Sequence, residues 1–204
     1  MKKILIIIFL FTLLPLTKVK GEELNLAENA KSAILIEAST GEILYQKNAN
    51  EKLAPASMTK IMSLILIMEN IENGNLKWND VVVVSKNASS MGGSQIFLET
   101  NEMMTVEDLV KGICIASGND ATVALAEKIA GTEKAFVKLM NDKAKSLGLK
   151  NTNFVNATGL DAEGHYSTAY DMSVMARELV RHEKILEFSS IYEDYLRKNT
   201  SKSF

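Results

Sequence analysis

A serine and a lysine stand three residues apart in PASMTK, residues 55–60, a spacing that suits nucleophilic catalysis. On a helix, residues i and i+3 share one face, so the side chains of Ser57 and Lys60 can touch. A serine hydroxyl becomes a useful nucleophile only when a base removes its proton, and lysine serves as that base where burial disfavours its ammonium form. The run IMSLILIM at residues 61–68 is almost wholly apolar, which favours such burial over the alternative, an ordinary helix start with a surface lysine.

A second polar group, the Ser-Gly-Asn sequence at residues 117–119, interrupts apolar sequence further along the chain. The hydroxyl of Ser117 can relay a proton, and the carboxamide of Asn119 can hold a substrate carbonyl or orient Lys60. The same three residues also suit a helix C-cap followed by an asparagine turn. By itself this sequence does not decide between the two interpretations, and it gains weight only beside the serine–lysine pair.

The elements that must position these motifs are predicted to be strands packed on helices, with an all-helical lobe inserted. A β-hairpin is predicted with arms at residues 33–37 and 42–46, because both arms are rich in Ile, Leu and Tyr and a Ser-Thr-Gly turn joins them. Pro55 then opens a helix, as proline favours the first turn. We expect this helix to be buried on all sides from Met58 to Met68.

The rest of the chain is predicted to be largely helical. Four valines at residues 81–84 indicate a short buried strand, and a loop is expected over residues 85–94. Threonine-based capping boxes begin two of the helices that follow, and glycines end the two between them. The predicted helices cover about residues 105–116, 120–130, 132–147 and 168–181.

The first 21 residues have the features of a secretory signal peptide. Lys2 and Lys3 precede an apolar stretch at residues 4–16 that is too short to span a bilayer comfortably, and we expect cleavage after Gly21. An uncleaved membrane anchor is the alternative. In both cases the domain at residues 22–204 is exported across the cytoplasmic membrane, to the cell-wall face or periplasm.

Charge and composition narrow the classes of partner. Loss of residues 1–21 removes four lysines and no acidic residue, so the net charge changes from −2 to −6, which argues against nucleic acid as a partner. Cys114 is the single cysteine, and its apolar neighbours indicate a small buried hydrophobe. His165 and His182 lack the spacing and companions of a metal site, and a structural loop role is favoured for His165 over lining of a cleft.

Taken together, the two motifs resemble those of the low-molecular-mass penicillin-binding proteins that act as serine-type D-alanyl-D-alanine carboxypeptidases. The similarity extends over about residues 33–197. The resemblance implies an α/β (α+β) penicillin-binding protein or β-lactamase-like transpeptidase fold, with an antiparallel sheet packed on helices. The segments that carry it are LYQKNANEKLAPASMTK at residues 44–60, MGGSQIFLETNEMMTVEDLVKGICIASGNDATVALAE at residues 91–127 and NFVNATGLDAEGHYSTAYDMSVMAREL at residues 153–179.

The resemblance also implies a role for each residue of the two motifs. Ser57 is expected to be the acylated nucleophile and Lys60 the base that activates it. Ser117 is expected to pass a proton toward the leaving D-alanine, and Asn119 to bind the peptide and help orient Lys60. The implied reaction removes the terminal D-alanine from the D-Ala-D-Ala end of a peptidoglycan stem peptide, without a metal or organic cofactor. β-Lactams are expected to acylate Ser57 as substrate mimics.

The third motif of this family, Lys-Thr-Gly or Lys-Ser-Gly, does not occur. The Lys-Ser pairs that begin at Lys31, Lys145 and Lys202 are each followed by a residue other than glycine. We interpret residues 22–204 as the N-terminal portion of a longer catalytic domain whose C-terminal strands lie outside this sequence. We therefore expect the 204-residue chain alone to be poorly folded and inactive. Peripheral membrane contact through a missing C-terminal segment stays open.

Three alternatives remain at this point. A β-lactamase shares the fold, and Glu163 is the residue of the later region that could serve its deacylation step. A catalytically inactive domain that binds wall peptide or penicillin would keep the fold and use the cleft without turnover. An endopeptidase that cleaves cross-links acts on a similar bond.

Overall fold

A two-stranded antiparallel hairpin opens the part of the chain that this computed structural model describes, residues 25–197. Strand β1 (Ala33–Ile36) pairs with β2 (Ile43–Lys47), which confirms the predicted hairpin, and a bulge lies at its turn end. The Glu37 carboxylate accepts hydrogen bonds in the turn from the hydroxyl of Thr40 and from the backbone N–H groups of Ser39 and Thr40. These bonds lower the pKa of Glu37 to about 2. The predicted signal peptide lies outside the described residues.

The helix that follows the hairpin runs through the centre of the molecule. A 3-10 turn (Ala56–Thr59) leads into helix α1 (Lys60–Glu72), whose middle is buried from Met62 to Met68. The prediction of burial on all sides is confirmed for this middle part. It is wrong for Met58, which is 55% exposed, because the 3-10 turn carries that side chain to the surface before α1 begins.

The valine strand is only half buried. Strand β3 (Val81–Val83) pairs antiparallel with β4 (Met103–Thr105) in a second two-stranded sheet. Val82 is buried, whereas Val81 and Val83 are 50% and 60% exposed. The predicted buried strand is therefore wrong on one face, because a run of β-branched residues does not reveal that only one side of a sheet is covered.

The remaining described residues are mainly helical, and the helix ends follow the local capping signals. Side-chain oxygens of Thr105, Thr132 and Thr168 each cap the helix that follows by accepting a hydrogen bond from a backbone N–H group. Residues 85–94 contain the one-turn helix α2 where a loop was predicted, because Ser85 caps it. The helices are α2 (Lys86–Ser89), α3 (Val106–Ala116), α4 (Asn119–Ala130), α5 (Glu133–Ser146), α6 (Ala169–Leu179) and α7 (Glu183–Ser189), of which α7 was not predicted.

Packing around α1 joins these elements into one core. Helix α1 contacts α4, α5 and α6, and β1 packs on α6, so the expected arrangement of antiparallel strands on helices is present, although as two small sheets. Phe136, Met140 and Leu125 are fully buried in the helical lobe. Among residues 25–197, no helix combines the length and the apolar content that crossing a membrane requires.

An apolar groove of about 560 Å³ separates the hairpin from α6. Its lining includes Ile34 and Ile36 of β1, Ile61 of α1 and Met172 of α6. Arg177 of α6 donates two hydrogen bonds of 2.7 Å to backbone carbonyls of the hairpin turn, and this fixes the distance between the two walls. The groove is therefore open to solvent, and the described residues do not fill it.

Candidate active site

Ser57 lies on the surface at the start of the central helix. The residue before it, Ala56, has a φ of +47°, in the left-handed region that only glycine adopts without strain. The exposed Ser57 side chain follows in the 3-10 turn, and its Oγ lies 3.2 Å from Nζ of Lys60. The structure therefore brings the two residues of the first motif together, one helical turn apart, as predicted.

Lys60 is the buried partner of this pair, with only 3% of its surface exposed. Besides the bond to Ser57, its Nζ donates a 2.9 Å hydrogen bond to the carbonyl oxygen of Thr158. Neither partner carries a charge, and burial lowers the pKa of the lysine from 10.5 to about 8. Some of the lysine is then uncharged at physiological pH. The uncharged amine is the form that can accept a proton from Ser57.

The loop that supplies Thr158 is ordered by the side chain of Asn156. Its Oδ1 accepts hydrogen bonds from the backbone N–H groups of Thr158 and Gly159, and its Nδ2 donates to the carbonyl of Leu160. Gly159 has a φ of +88°, and a Cβ at this position would lie 1.8 Å from the carbonyl oxygen of Ala56. Only glycine fits where this loop crosses the turn that carries Ser57.

Sequence reasoning missed Thr158 as a partner of Lys60. The accepting atom is a backbone carbonyl, so the residue type carries no chemical signal. The Asn-Ala-Thr-Gly sequence at residues 156–159 is the one available hint, because asparagine and glycine at those positions are typical of a tight turn.

Ser117 ends helix α3 in the left-handed conformation, with a φ of +56°. Its N–H donates to the carbonyl of Ile113, and the N–H of Gly118 donates to that of Gly112, which is the hydrogen-bond pattern of a helix C-cap. The C-cap of the structural interpretation is thus confirmed, whereas Asn119 begins the next helix instead of forming a turn of its own. The cap leaves the half-buried hydroxyl outside the helix. Within the described residues, no side-chain hydrogen bond joins Ser117 to Ser57 or Lys60.

Asn119 begins helix α4 and is 4% exposed. Its Nδ2 donates to the carbonyl oxygen of Gly92 and its backbone N–H to that of Ser94, each at 2.7 Å. In the part of the chain that the structure describes, its Oδ1 is buried without a hydrogen-bond partner. A buried acceptor without a partner is costly, so this atom is suited to accept a hydrogen bond that the described chain does not provide.

The second motif approaches the first through Gly93. A Cβ at Gly93 would lie 2.9 Å from Nδ2 of Asn119 and 3.6 Å from Cδ2 of Leu160. Leu160 follows the turn whose Thr158 carbonyl holds Lys60, so both motifs border the same loop. Asp120, the neighbour of Asn119, was missed by the sequence analysis. Its buried carboxylate accepts hydrogen bonds from backbone N–H groups of the segment 96–98 and so fixes that segment against the start of α4.

The cysteine and the two histidines make no contact with Ser57 or Lys60 among the hydrogen bonds of the described residues. Burial raises the pKa of the half-buried Cys114 thiol to about 11, which agrees with an unreactive cysteine. His182 bonds through Nδ1 to Glu72, and His165 bonds through Nε2 to Thr59. Residues 25–197 contain no group of three or more His, Cys, Asp and Glu side chains that could hold a metal ion.

An exposed serine beside a buried lysine, with a Ser-Gly-Asn turn that borders the same loop, defines a candidate serine–lysine acyl-transfer site in an α+β fold. Residues 18–204 match the family model described as D-alanyl-D-alanine carboxypeptidase, Peptidase_S11. The chain belongs to this family, and the resemblance inferred from its motifs is confirmed.

Individual relatives agree with this assignment. The chain is 63% identical over 180 residues to the D-alanyl-D-alanine carboxypeptidase DacF of Bacillus subtilis, a match that covers 88% of the chain and 46% of DacF. The crystal structure of DacD from Francisella tularensis superimposes with a TM-score of 0.78 at 39% identity, covering 86% of this chain and 42% of that one. These matches confirm the predicted fold, and the chain spans about half the length of the curated relatives that it matches.

A ligand-bound structure is also similar. Penicillin-binding protein D2 from Listeria monocytogenes, in its ampicillin-bound form, superimposes with a TM-score of 0.71 at 30% identity. The match covers 79% of this chain and 66% of that one. A fold of this kind therefore accommodates a β-lactam in at least one relative.

Proposed function

We propose that the complete protein is a serine-type D-alanyl-D-alanine carboxypeptidase that removes the terminal D-alanine from peptidoglycan stem peptides. The observation that carries the proposal is the exposed Ser57 hydroxyl 3.2 Å from the amine of buried Lys60. Membership of the D-alanyl-D-alanine carboxypeptidase family supports it. The products are free D-alanine and a shortened stem peptide.

In the proposed first step, the neutral amine of Lys60 accepts the hydroxyl proton of Ser57 while Oγ attacks the carbonyl carbon of the penultimate D-alanine. The new bond is Oγ–C, and the bond that breaks is the C–N bond to the terminal D-alanine. The Thr158 carbonyl, 2.9 Å from Nζ, keeps the lysine directed at Ser57 throughout. Water then attacks the ester and returns Ser57 to its free form.

Ser117 and Asn119 are proposed to act on the substrate. The Ser117 hydroxyl relays a proton to the nitrogen of the leaving D-alanine, since the left-handed cap places this half-buried group at the end of α3. The unpaired Oδ1 of Asn119 accepts a hydrogen bond from a substrate N–H or from Lys60, which would satisfy a buried acceptor. The backbone N–H of Ser57 contributes one oxyanion donor, and the second comes from beyond the described residues.

Partners and location follow from the same chemistry. β-Lactams are proposed to acylate Ser57 and to act as inhibitors, a proposal that the ampicillin-bound relative supports. The substrate lies outside the cytoplasmic membrane, so we propose export directed by residues 1–21.

The test is acylation of the complete gene product by a fluorescent penicillin, together with release of D-alanine from a D-Ala-D-Ala peptide. We expect one label per chain, located on Ser57 by peptide mass spectrometry, and loss of both signals in Ser57→Ala. Ser146→Ala is the matched control, because Ser146 is exposed on α5 and its hydroxyl donates a local hydrogen bond to the carbonyl of Lys143. A label on another residue would overturn the proposal.

The same assay separates the alternatives. Fast, repeated hydrolysis of nitrocefin would indicate a β-lactamase, and binding of the peptide without release of D-alanine would indicate an inactive wall-binding domain. Cleavage of cross-linked dimers in preference to pentapeptides would indicate an endopeptidase.

A further inference from the structure

His165 joins the loop beside the candidate active site to the turn that carries the nucleophile. The imidazole is 7% exposed, and its Nε2 lies 2.8 Å from Oγ1 of Thr59. Its Nδ1 accepts a 3.1 Å hydrogen bond from the backbone N–H of Val155. Thr59 is fully buried and stands between Ser57 and Lys60 in the chain, so the histidine reaches the catalytic turn without touching the reacting groups.

The two hydrogen bonds fix which nitrogen of the neutral ring carries the proton. A backbone N–H can only donate, so Nδ1 must present its lone pair to Val155. The proton of the neutral imidazole is therefore on Nε2, which donates it to Thr59. Burial lowers the pKa of His165, which favours this neutral form at neutral pH.

The link holds together a part of the molecule that is strained. Ala56 has its φ at +47°, and such a conformation persists only where the surroundings enforce it. The loop that ends at His165 packs Gly159 against Ala56 and presents the Thr158 carbonyl to Lys60. The bond from His165 to Thr59 is a second attachment of this loop to the same turn.

We propose that His165 is a positioning residue that acts through Thr59 to hold Ser57 and Lys60 in register for acylation. The inference rests on the proposed function. It assigns His165 no contact with substrate and no proton transfer. Its loss should therefore slow the bond-forming step while leaving the initial, non-covalent binding of the β-lactam unchanged.

Two conservative variants separate the two hydrogen bonds of the imidazole. In His165→Gln the side-chain amide nitrogen occupies the region of Nε2 and can still donate to Thr59. In His165→Asn the shorter amide reaches only the region of Nδ1 and can still accept from Val155. His182→Asn is the matched control, because His182 is a buried histidine of similar exposure, 8%, that bonds to Glu72 at the far end of α1.

The measurement is the rate of acylation by a fluorescent penicillin in the complete gene product, resolved into a binding constant and a first-order acylation constant. We expect His165→Asn to lower the acylation constant about tenfold, the effect of losing one buried hydrogen bond, with the binding constant unchanged. His165→Gln should stay within about threefold of the wild type. His182→Asn should not change the acylation constant.

A double-mutant cycle then tests whether the effect passes through Thr59. Thr59→Val keeps the shape of the side chain and removes the hydroxyl, so it should lower the acylation constant as His165→Asn does. The double variant should show no further loss, because both changes break the same bond. Additive losses would overturn the proposal.

The remaining outcomes are distinguishable. If the wild type labels on Ser57 but His165→Asn and His165→Gln behave alike, this inference fails and the proposed function stands. If the wild type does not label on Ser57, the proposed function fails and this inference with it. A nitrogen-15 spectrum of the imidazole with the proton on Nδ1 would also overturn the inference, whatever the activity.

Discussion

The carbonyl oxygen of Thr158 accepts a 2.9 Å hydrogen bond from Nζ of Lys60, across 98 residues of sequence. This bond gives the buried lysine a neutral acceptor instead of a carboxylate. A carboxylate would stabilise the ammonium and raise its pKa, whereas a carbonyl orients the amine and leaves burial as the dominant effect. The candidate site therefore combines a fixed geometry with an amine that can exist in its neutral form.

The pH dependence of acylation should follow Lys60. Its pKa of about 8 means that the ammonium dominates below that pH and the neutral amine above it. In the proposed mechanism only the neutral amine accepts the Ser57 proton, so the acylation rate should rise about tenfold per pH unit at low pH and level off above the pKa. The rate of acylation by penicillin, measured from about pH 5.5 to about pH 10, tests this pH dependence. A rate that is flat across this range would contradict the role of Lys60 as the base.

Gly159→Ala should damage both stability and acylation. The new methyl group would lie 1.8 Å from the Ala56 carbonyl oxygen, so either the loop or the turn has to move. We expect a loss of at least about 3 kcal/mol in the free energy of unfolding, the sum of the strain at positive φ and the clash. Urea denaturation and penicillin labelling of the complete protein measure the two effects.

Gly148→Ala supplies the control for this prediction. Gly148 has a φ of +75°, but a methyl group added to its Cα would meet no atom within 4 Å, so this position shares the backbone strain and lacks the clash. Its cost should be about 1 kcal/mol, without an effect on acylation. If the two glycine variants were equally mild, the close approach of the loop to Ala56 would not matter for the site.

Local signals in the sequence predicted much of this structure. The threonines at positions 105 and 168 cap helices as their capping boxes indicate, because capping depends on residues within one turn. The proximity of Ser57 and Lys60 follows from helix geometry in the same way.

What the sequence did not predict depends on contacts between distant segments. The Thr158–Lys60 bond uses a backbone carbonyl, and the bond between Thr59 and His165 joins residues 106 positions apart. No local pattern encodes such pairs. The exposed face of β3 has the same origin, since burial of a strand depends on which elements cover it.

Asp120→Asn should loosen the segment that contacts Asn119. The buried carboxylate accepts hydrogen bonds from the N–H groups of Ile96, Leu98 and Ala121, at 3.1, 2.9 and 2.9 Å. A carboxamide has one accepting oxygen, so its amino group would face a backbone donor, at a cost of about 2–3 kcal/mol. The midpoint temperature of thermal unfolding and the acylation rate should both be lower in this variant.

Asp142→Asn is the control for the aspartate prediction. Asp142 is exposed on α5 and pairs with Lys138 at i,i+4, so its change should leave the stability close to that of the wild type. An Asp120→Asn protein as stable as the Asp142→Asn protein would show that the three hydrogen bonds to the carboxylate do not hold the segment.

The chain of residues 22–204 by itself should expose apolar surface and label poorly with penicillin. The groove of about 560 Å³ beside β1 lies open, and Leu35 and Leu44 of the hairpin are 50% and 58% exposed. Open apolar grooves and unpaired strand edges favour association and bind apolar dyes. We therefore expect strong fluorescence of anilinonaphthalene sulfonate, concentration-dependent light scattering and weak labelling for residues 22–204, and the reverse for the complete gene product. A monomeric short chain that excludes the dye and labels as fast as the complete protein would show that these residues form the working site unaided.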